Sequence, residues 1–106
     1  VTGAVKEPLE ELARGLAGIY GPRLRGVYLY GSHARGEADP ESDLDVLVVL
    51  DDFGRYGEEL DRTSELVARL SLSYGLSVSR VFVRERDWRE ARTAFVANVR
   101  EEAVPA

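Results

Sequence analysis

Apolar residues recur at three- and four-residue spacing through Leu9, Leu12, Ala13, Leu16, Ile19 and Tyr20, which predicts an amphipathic helix ended by Gly21-Pro22. Val27-Tyr28-Leu29-Tyr30, bounded by Gly26 and Gly31, predicts a strand followed by a glycine turn and a short helical turn. Glu37 to Ser42 has loop chemistry, with Asp39-Pro40 as turn initiator. Leu44 to Leu50 is almost wholly aliphatic, the pattern of a central strand covered on both faces. From Glu58 to about Tyr74, a stripe of Leu60, Val67, Leu70, Ser71 and Tyr74, with Leu66 beside it, predicts a second long helix closed by Gly75. Leu76 to Val83 predicts a third strand. Asp87 to about Glu102 predicts a last helix, capped by the aspartate and continued by Trp88, Ala91, Phe95 and Val99.

The order αββαβα predicts an α+β chain: a small mixed β-sheet covered by helices, forming one domain over residues 1–106 with no internal repeat. Cysteine is absent, which excludes disulfides and thiolate metal sites. No segment approaches the length of a membrane span, and Val1 to Lys6 lacks the apolar stretch of a signal peptide, so a soluble, cytoplasmic protein is expected. The net charge of −5, without a dense basic cluster, argues against non-specific nucleic-acid binding. Lys6 is the one lysine and Asn98 the one asparagine; methionine and glutamine are absent. This bias fits a thermophile and a GC-rich coding sequence equally.

The chemistry concentrates where two aspartates interrupt the apolar pattern. Asp43 and Asp45, two residues apart on a strand, project to the same side, where they repel each other. A divalent cation resolves that conflict: Mg²⁺ takes hard oxygen ligands, commonly one or two carboxylates plus substrate phosphates. Gly31 permits close backbone approach to a ligand, and Ser32 opens a helical turn whose amides and hydroxyl suit phosphate. Arg35 adds a positive charge whose direction the sequence does not give. Taken singly, a Gly-Ser turn is commonplace, and Asp-x-Asp also reads as a turn residue followed by a solvent-facing one. Neither a Walker loop nor a dinucleotide glycine motif is present. Strand, Gly-Ser, ten residues, Asp-x-Asp and buried strand together favour a phosphate cradle facing a metal pair.

Gly31-Ser32, ten intervening residues and Asp43-Leu44-Asp45, with Ala34-Arg35-Gly36 between, resemble the signature of the nucleotidyltransferase superfamily related to DNA polymerase beta. The chain's length, Tyr74-Gly75-Leu76-Ser77-Val78-Ser79 and the segment from Asp87-Trp88 to Asn98-Val99-Arg100-Glu101-Glu102 resemble its minimal branch, partner to HEPN-family proteins. The resemblance implies a polymerase beta palm-like core and a Mg²⁺-dependent transfer, with two ions, of AMP from ATP to a hydroxyl, while pyrophosphate leaves. Gly31 and Ser32 would hold the β and γ phosphates, and Asp43 and Asp45 would be catalytic, nucleotide-binding and metal-binding. The implied partner is a HEPN-type toxin modified on a tyrosine, with this chain as antitoxin.

The sequence departs from the family at its third carboxylate. The corresponding strand, Leu76 to Val83, has no Asp or Glu; Ser77 is the best match for the position and Ser79 the next. A serine hydroxyl replaces a carboxylate neither as base nor as metal ligand. Glu85 and Asp87 lie beyond that strand and read more simply as a polar helix start. The departure keeps open a catalytically impaired antitoxin that acts by binding; transfer to an antibiotic or RNA is a third reading. His33, the one histidine, reads as a surface residue. Tyr20, Tyr28, Tyr30 and Tyr74 read as core, and Tyr56 is the freest aromatic for a base or partner.

Overall fold

The computed structural model describes residues 3–106; Val1 and Thr2, within the stretch read for a signal peptide, lie outside the described residues. In chain order the elements are α1 (Gly3–Tyr20), a 3-10 turn (Gly21–Arg23), β1 (Leu24–Tyr30), α2 (Ser32–Arg35), β2 (Leu44–Leu50) and α3 (Tyr56–Tyr74). They are followed by β3 (Val78–Arg84), α4 (Glu85–Glu90), α5 (Ala94–Glu102) and β4 (Val104–Pro105). The sheet order is β3-β2-β1-β4. β1 is antiparallel to both β2 and β4, and β2 is parallel to β3, so the sheet is mixed and the α+β expectation holds.

The continuous apolar character of β2 follows from cover on both sides. Leu44, Val46, Val48 and Leu50 join one core cluster with Val5, Leu9, Leu12 and Leu16 of α1 and Leu66, Val67 and Leu70 of α3. Leu47 and Val49 face the other way and pack with Val96 and Val99 of α5 and with Trp88 of α4. α1 begins before the expected stripe, since Val5 already lies on it, and Ile19, expected inside, is exposed. On α3 the buried line runs through Glu59, Thr63, Leu66, Val67 and Leu70, displaced from the expected stripe. Two of these residues are polar, which hides the line from a hydrophobic pattern. They are buried because partners reach them: Tyr20 donates to Glu59 Oε1 at 2.9 Å, Arg62 pairs with the same oxygen, and Arg80 Nε donates to Thr63 Oγ1 at 2.6 Å.

The expected last helix is two helices. α4 stops at Ala91, whose φ of 48° puts it in the left-handed region, and Thr93 caps α5 by accepting the Val96 N–H at 3.1 Å. Asp87 is therefore inside α4 and not the cap. The break lets Trp88 stack on Tyr28 at 4.5 Å while Val96 and Val99 turn onto β2; Phe95, expected in the stripe, is exposed. A non-glycine residue at positive φ carries strain of about 1 kcal/mol. We expect Ala91→Gly to raise stability by about 0.5–1 kcal/mol in urea unfolding, with an unchanged slope.

The strands differ from expectation as well. β3 starts at Val78, with Ser77 just before it, and Gly75 closes α3 in the left-handed conformation as expected, its N–H bonded to Ser71 O at 2.9 Å. β4, absent from the expected order, pairs Val104 with Leu29 and Pro105 with Tyr28.

Candidate functional site

The site lies where β1 ends and β2 begins. Cross-strand pairing sets Tyr30 opposite Asp45, so Gly31, next along the chain, meets the aspartate pair. Gly31 has φ 77° and ψ −157°, a combination open essentially to glycine alone. A Cβ built on Gly31 would strike the Asp45 carboxylate, with Cγ at 3.2 Å and Cβ at 3.3 Å. The turn thus brings bare backbone against a carboxylate, and any side chain would separate them.

From that turn α2 springs. The Gly31 carbonyl accepts the N–H groups of Ala34 and Arg35, both at 3.1 Å, and Gly36 ends the helix at φ 73°. The Ser32 and His33 amides stand in the first turn, where no intrahelical acceptor exists for them. Asp39 holds the following loop together: its carboxylate accepts the Glu41 N–H at 2.9 Å, and its carbonyl accepts that of Ser42 at 3.1 Å. This loop delivers Asp43 to the start of β2. His33 Nε2 lies 3.3 Å from the Ser42 carbonyl, so the ring braces the loop. Its Nδ1 is buried without a partner. The surface role expected for His33 is thereby replaced by a structural contact.

Asp45 shares its face of the sheet with Leu47 and Val49, on the α5 side. Burial, followed by the Asp43 charge, pushes its carboxyl above the ordinary value, while His33 and Arg35 oppose the shift. Tyr30, beside it, is pushed up by burial and then by the Asp45 charge. A carboxylate pair with such repulsion suits a cation. Among the described residues no three His, Cys, Asp or Glu side chains gather closely enough to hold a metal. Asp43 and Asp45 would therefore be the protein's donors to Mg²⁺, a pattern consistent with an ion that takes its other ligands from water and phosphate.

The neighbouring strand offers hydroxyls here. β3 sets Ser79 in register with Asp45, on the same face, whereas Ser77 precedes the strand and accepts the Leu44 N–H through its carbonyl at 2.8 Å. Glu85 and Asp87 follow Arg84, which is level with Leu50 at the far end of β2, about 17 Å along the strand from Asp45. There they pair with Arg89 and Arg92, so they are a polar helix start and do not return to the site. Tyr56 is not free either: its hydroxyl accepts the Phe82 N–H at 3.1 Å and its ring packs on Phe53 and Phe82, closing the outer edge of β3. Tyr28 and Tyr30, expected in the core, are partly buried at its edge, where they pack on Trp88 and Phe95.

One carboxylate at the site was not expected from the sequence. Glu102, at the end of α5, accepts the Gly31 N–H on Oε1 at 3.3 Å and Arg35 Nη1 on Oε2 at 2.9 Å. These bonds, Arg35 first, hold its carboxyl below the ordinary value. Arg35, whose direction the sequence left open, thus points at the Gly31 turn; it also donates to Glu37 at 2.7 Å.

Comparison with known proteins gives this geometry a family. The nucleotidyltransferase domain model matches residues 9–103, and the chain belongs to that family. Among its relatives in Methanocaldococcus jannaschii is "Putative protein adenylyltransferase MJ0604", 30% identical over 98 residues that cover 92% of each chain. "Putative protein adenylyltransferase MJ0141" of the same organism is 29% identical over 93 residues, 88% of this chain and 89% of the relative. Of solved structures, a "putative minimal nucleotidyltransferase" superposes with a TM-score of 0.65 at 29% identity, over 96% of this chain and 92% of the other. A toxin–antitoxin crystallised with AMP-PNP superposes at 0.63 and 24% identity, over 91% of this chain and 70% of the other, which shows a shared fold. No helix among the described residues is long and apolar enough to cross a membrane.

Proposed function

We propose that this chain is a Mg²⁺-dependent protein adenylyltransferase that moves AMP from ATP to a hydroxyl of a HEPN-type toxin, most simply a tyrosine, and so serves as its antitoxin. The observation that carries the reading is the contact of the Gly31 backbone with the Asp45 carboxylate, which makes phosphate cradle and aspartate pair one continuous surface. The names of the two archaeal relatives support protein adenylylation, and the fold shared with the AMP-PNP-bound toxin–antitoxin supports ATP as donor and a toxin as acceptor. Residues 1–106 would form a single domain that carries nucleotide and metal, leaving the partner to bring its own hydroxyl.

In this reading the Gly31 and Ser32 amides, the Ser32 hydroxyl and Arg35 bind the β and γ phosphates, at a helix start that favours anions. The acceptor hydroxyl attacks the α-phosphorus in line, a new P–O bond forming as the bond to pyrophosphate breaks and the hydroxyl proton passing to solvent, while Asp43 and Asp45 would position the α-phosphate through the Mg²⁺ they would hold. Asp43 and Asp45 would hold the Mg²⁺, which would supply Lewis acidity and neutralise phosphate charge.

A second reading, neutralisation by binding alone, is favoured by one observation: the position in register with Asp45 on β3 is Ser79, which is neither base nor metal ligand. Co-expression with the cognate HEPN toxin separates the two. As an enzyme, the wild-type chain restores growth and Asp43→Asn, equally abundant and still bound to the toxin, does not. Protection by Asp43→Asn equal to that by wild type would establish the steric antitoxin.

A further inference from the structure

Glu102 reaches from the end of α5 to the Gly31 turn. Its two oxygens engage the Gly31 N–H and the Arg35 guanidinium, two of the donors assigned above to polyphosphate. A carboxylate presents paired acceptor oxygens to an arginine as a phosphate does. We propose that Glu102 is an internal stand-in for the nucleotide's polyphosphate, occupying the cradle in the free chain and giving it up when nucleotide binds. This inference rests on the nucleotidyltransferase reading of the Gly31 turn.

Three observations favour displacement over a role as third metal-binding carboxylate. Both Glu102 oxygens are turned to donors of the cradle, and no three-carboxylate cluster forms among the described residues. The Glu102 charge adds to the repulsion at Asp45, which polyphosphate beside it would aggravate. The residue is also tethered: Val104 pairs with Leu29 in the sheet, and the Ala103 N–H bonds to Val99 O at 2.8 Å. Departure of the carboxylate is thus a rotation of one side chain, with the tail in place. The cradle donors stay oriented until substrate arrives, and a weak anion is excluded because it must outcompete a tethered one.

The Arg35–Glu102 pair is partly exposed, Arg35 by 46% and Glu102 by 27%, which keeps the competition modest. Calorimetric titration of wild type, Glu102→Gln and Glu102→Ala tests it with two probes: AMP-PNP with Mg²⁺, and inorganic tripolyphosphate without metal. We expect both variants to bind both probes about three- to tenfold tighter than wild type. The tripolyphosphate gain shows that the effect belongs to the cradle and not to the metal. Thermal melts of the variants close to wild type confirm that folded chains are compared. If wild type binds and a folded variant binds equally or more weakly, the stand-in is overturned while the nucleotidyltransferase reading survives. Failure of all three chains to bind either probe would overturn both.

Discussion

Asp43→Asn and Asp45→Asn are each expected to lower AMP transfer by at least about a hundredfold, because each removes one of two carboxylate donors, and among the described residues no three such side chains gather closely enough to hold a metal. Neither change unfolds the chain. Burial and then the Asp43 charge raise the Asp45 carboxyl above its ordinary value, so the folded chain holds this proton more tightly than the unfolded chain does. That preference contributes stability below the unfolded pKa and is lost as pH rises through the raised folded value. At neutral pH without metal, ionised Asp45 therefore destabilises the fold, and Asp45→Asn should melt on the order of 2–5 °C higher than wild type. The gap should close in acid as Asp45 is protonated, and narrow with Mg²⁺, which stabilises wild type only. Melting curves in EDTA at several pH values check this. A variant that is inactive and also less stable at neutral pH would point to a structural role for Asp45.

Gly31→Ala is expected to be the most damaging small substitution at the site. At φ 77° and ψ −157° the strain alone costs on the order of 1–3 kcal/mol. The new methyl group also strikes the Asp45 carboxylate, so relaxation must move either the β1–α2 turn or the aspartate. Stability should fall by about 2–4 kcal/mol and transfer should become undetectable. Adding Asp45→Ala should restore part of the stability and none of the activity: the collision with the carboxylate is gone, and the backbone strain remains. Denaturant unfolding of the two single variants and the double variant measures this coupling. Additive losses would mean that the Gly31–Asp45 contact does not constrain the turn.

Some of this was legible in the sequence for physical reasons. β2 could be read as buried on both faces because a strand packed between helices has no polar side, and the same uniformity made Asp43 and Asp45 conspicuous. Gly75 could be read as a cap because it follows a periodic helix directly. The break at Ala91 could not, because alanine is the best helix former and gives no stop signal. Thr93 is a cap whose meaning depends on the break before it. Parallel pairing of β2 with β3 puts Ser79 level with Asp45 and leaves Ser77 just before the strand, a register that sequence leaves open. Glu102 reaches Gly31 across 71 residues through the packing of α5, and nothing local to either residue announces the contact. Glu59 and Thr63 gave no core signal because they are polar and their partners, Tyr20 and Arg80, come from other elements.

The central claim is that two aspartates and a glycine turn suffice for protein adenylylation without a carboxylate on β3. Intact-mass measurement of the cognate HEPN toxin, incubated with this chain, ATP and Mg²⁺, tests it most directly, with Asp43→Asn as control. A mass increase of one or more AMP units on the toxin, absent with the control, is the predicted result. An unmodified toxin in a stable complex with a chain that binds ATP would contradict it, and would make the serine level with Asp45 the mark of an antitoxin that works by contact.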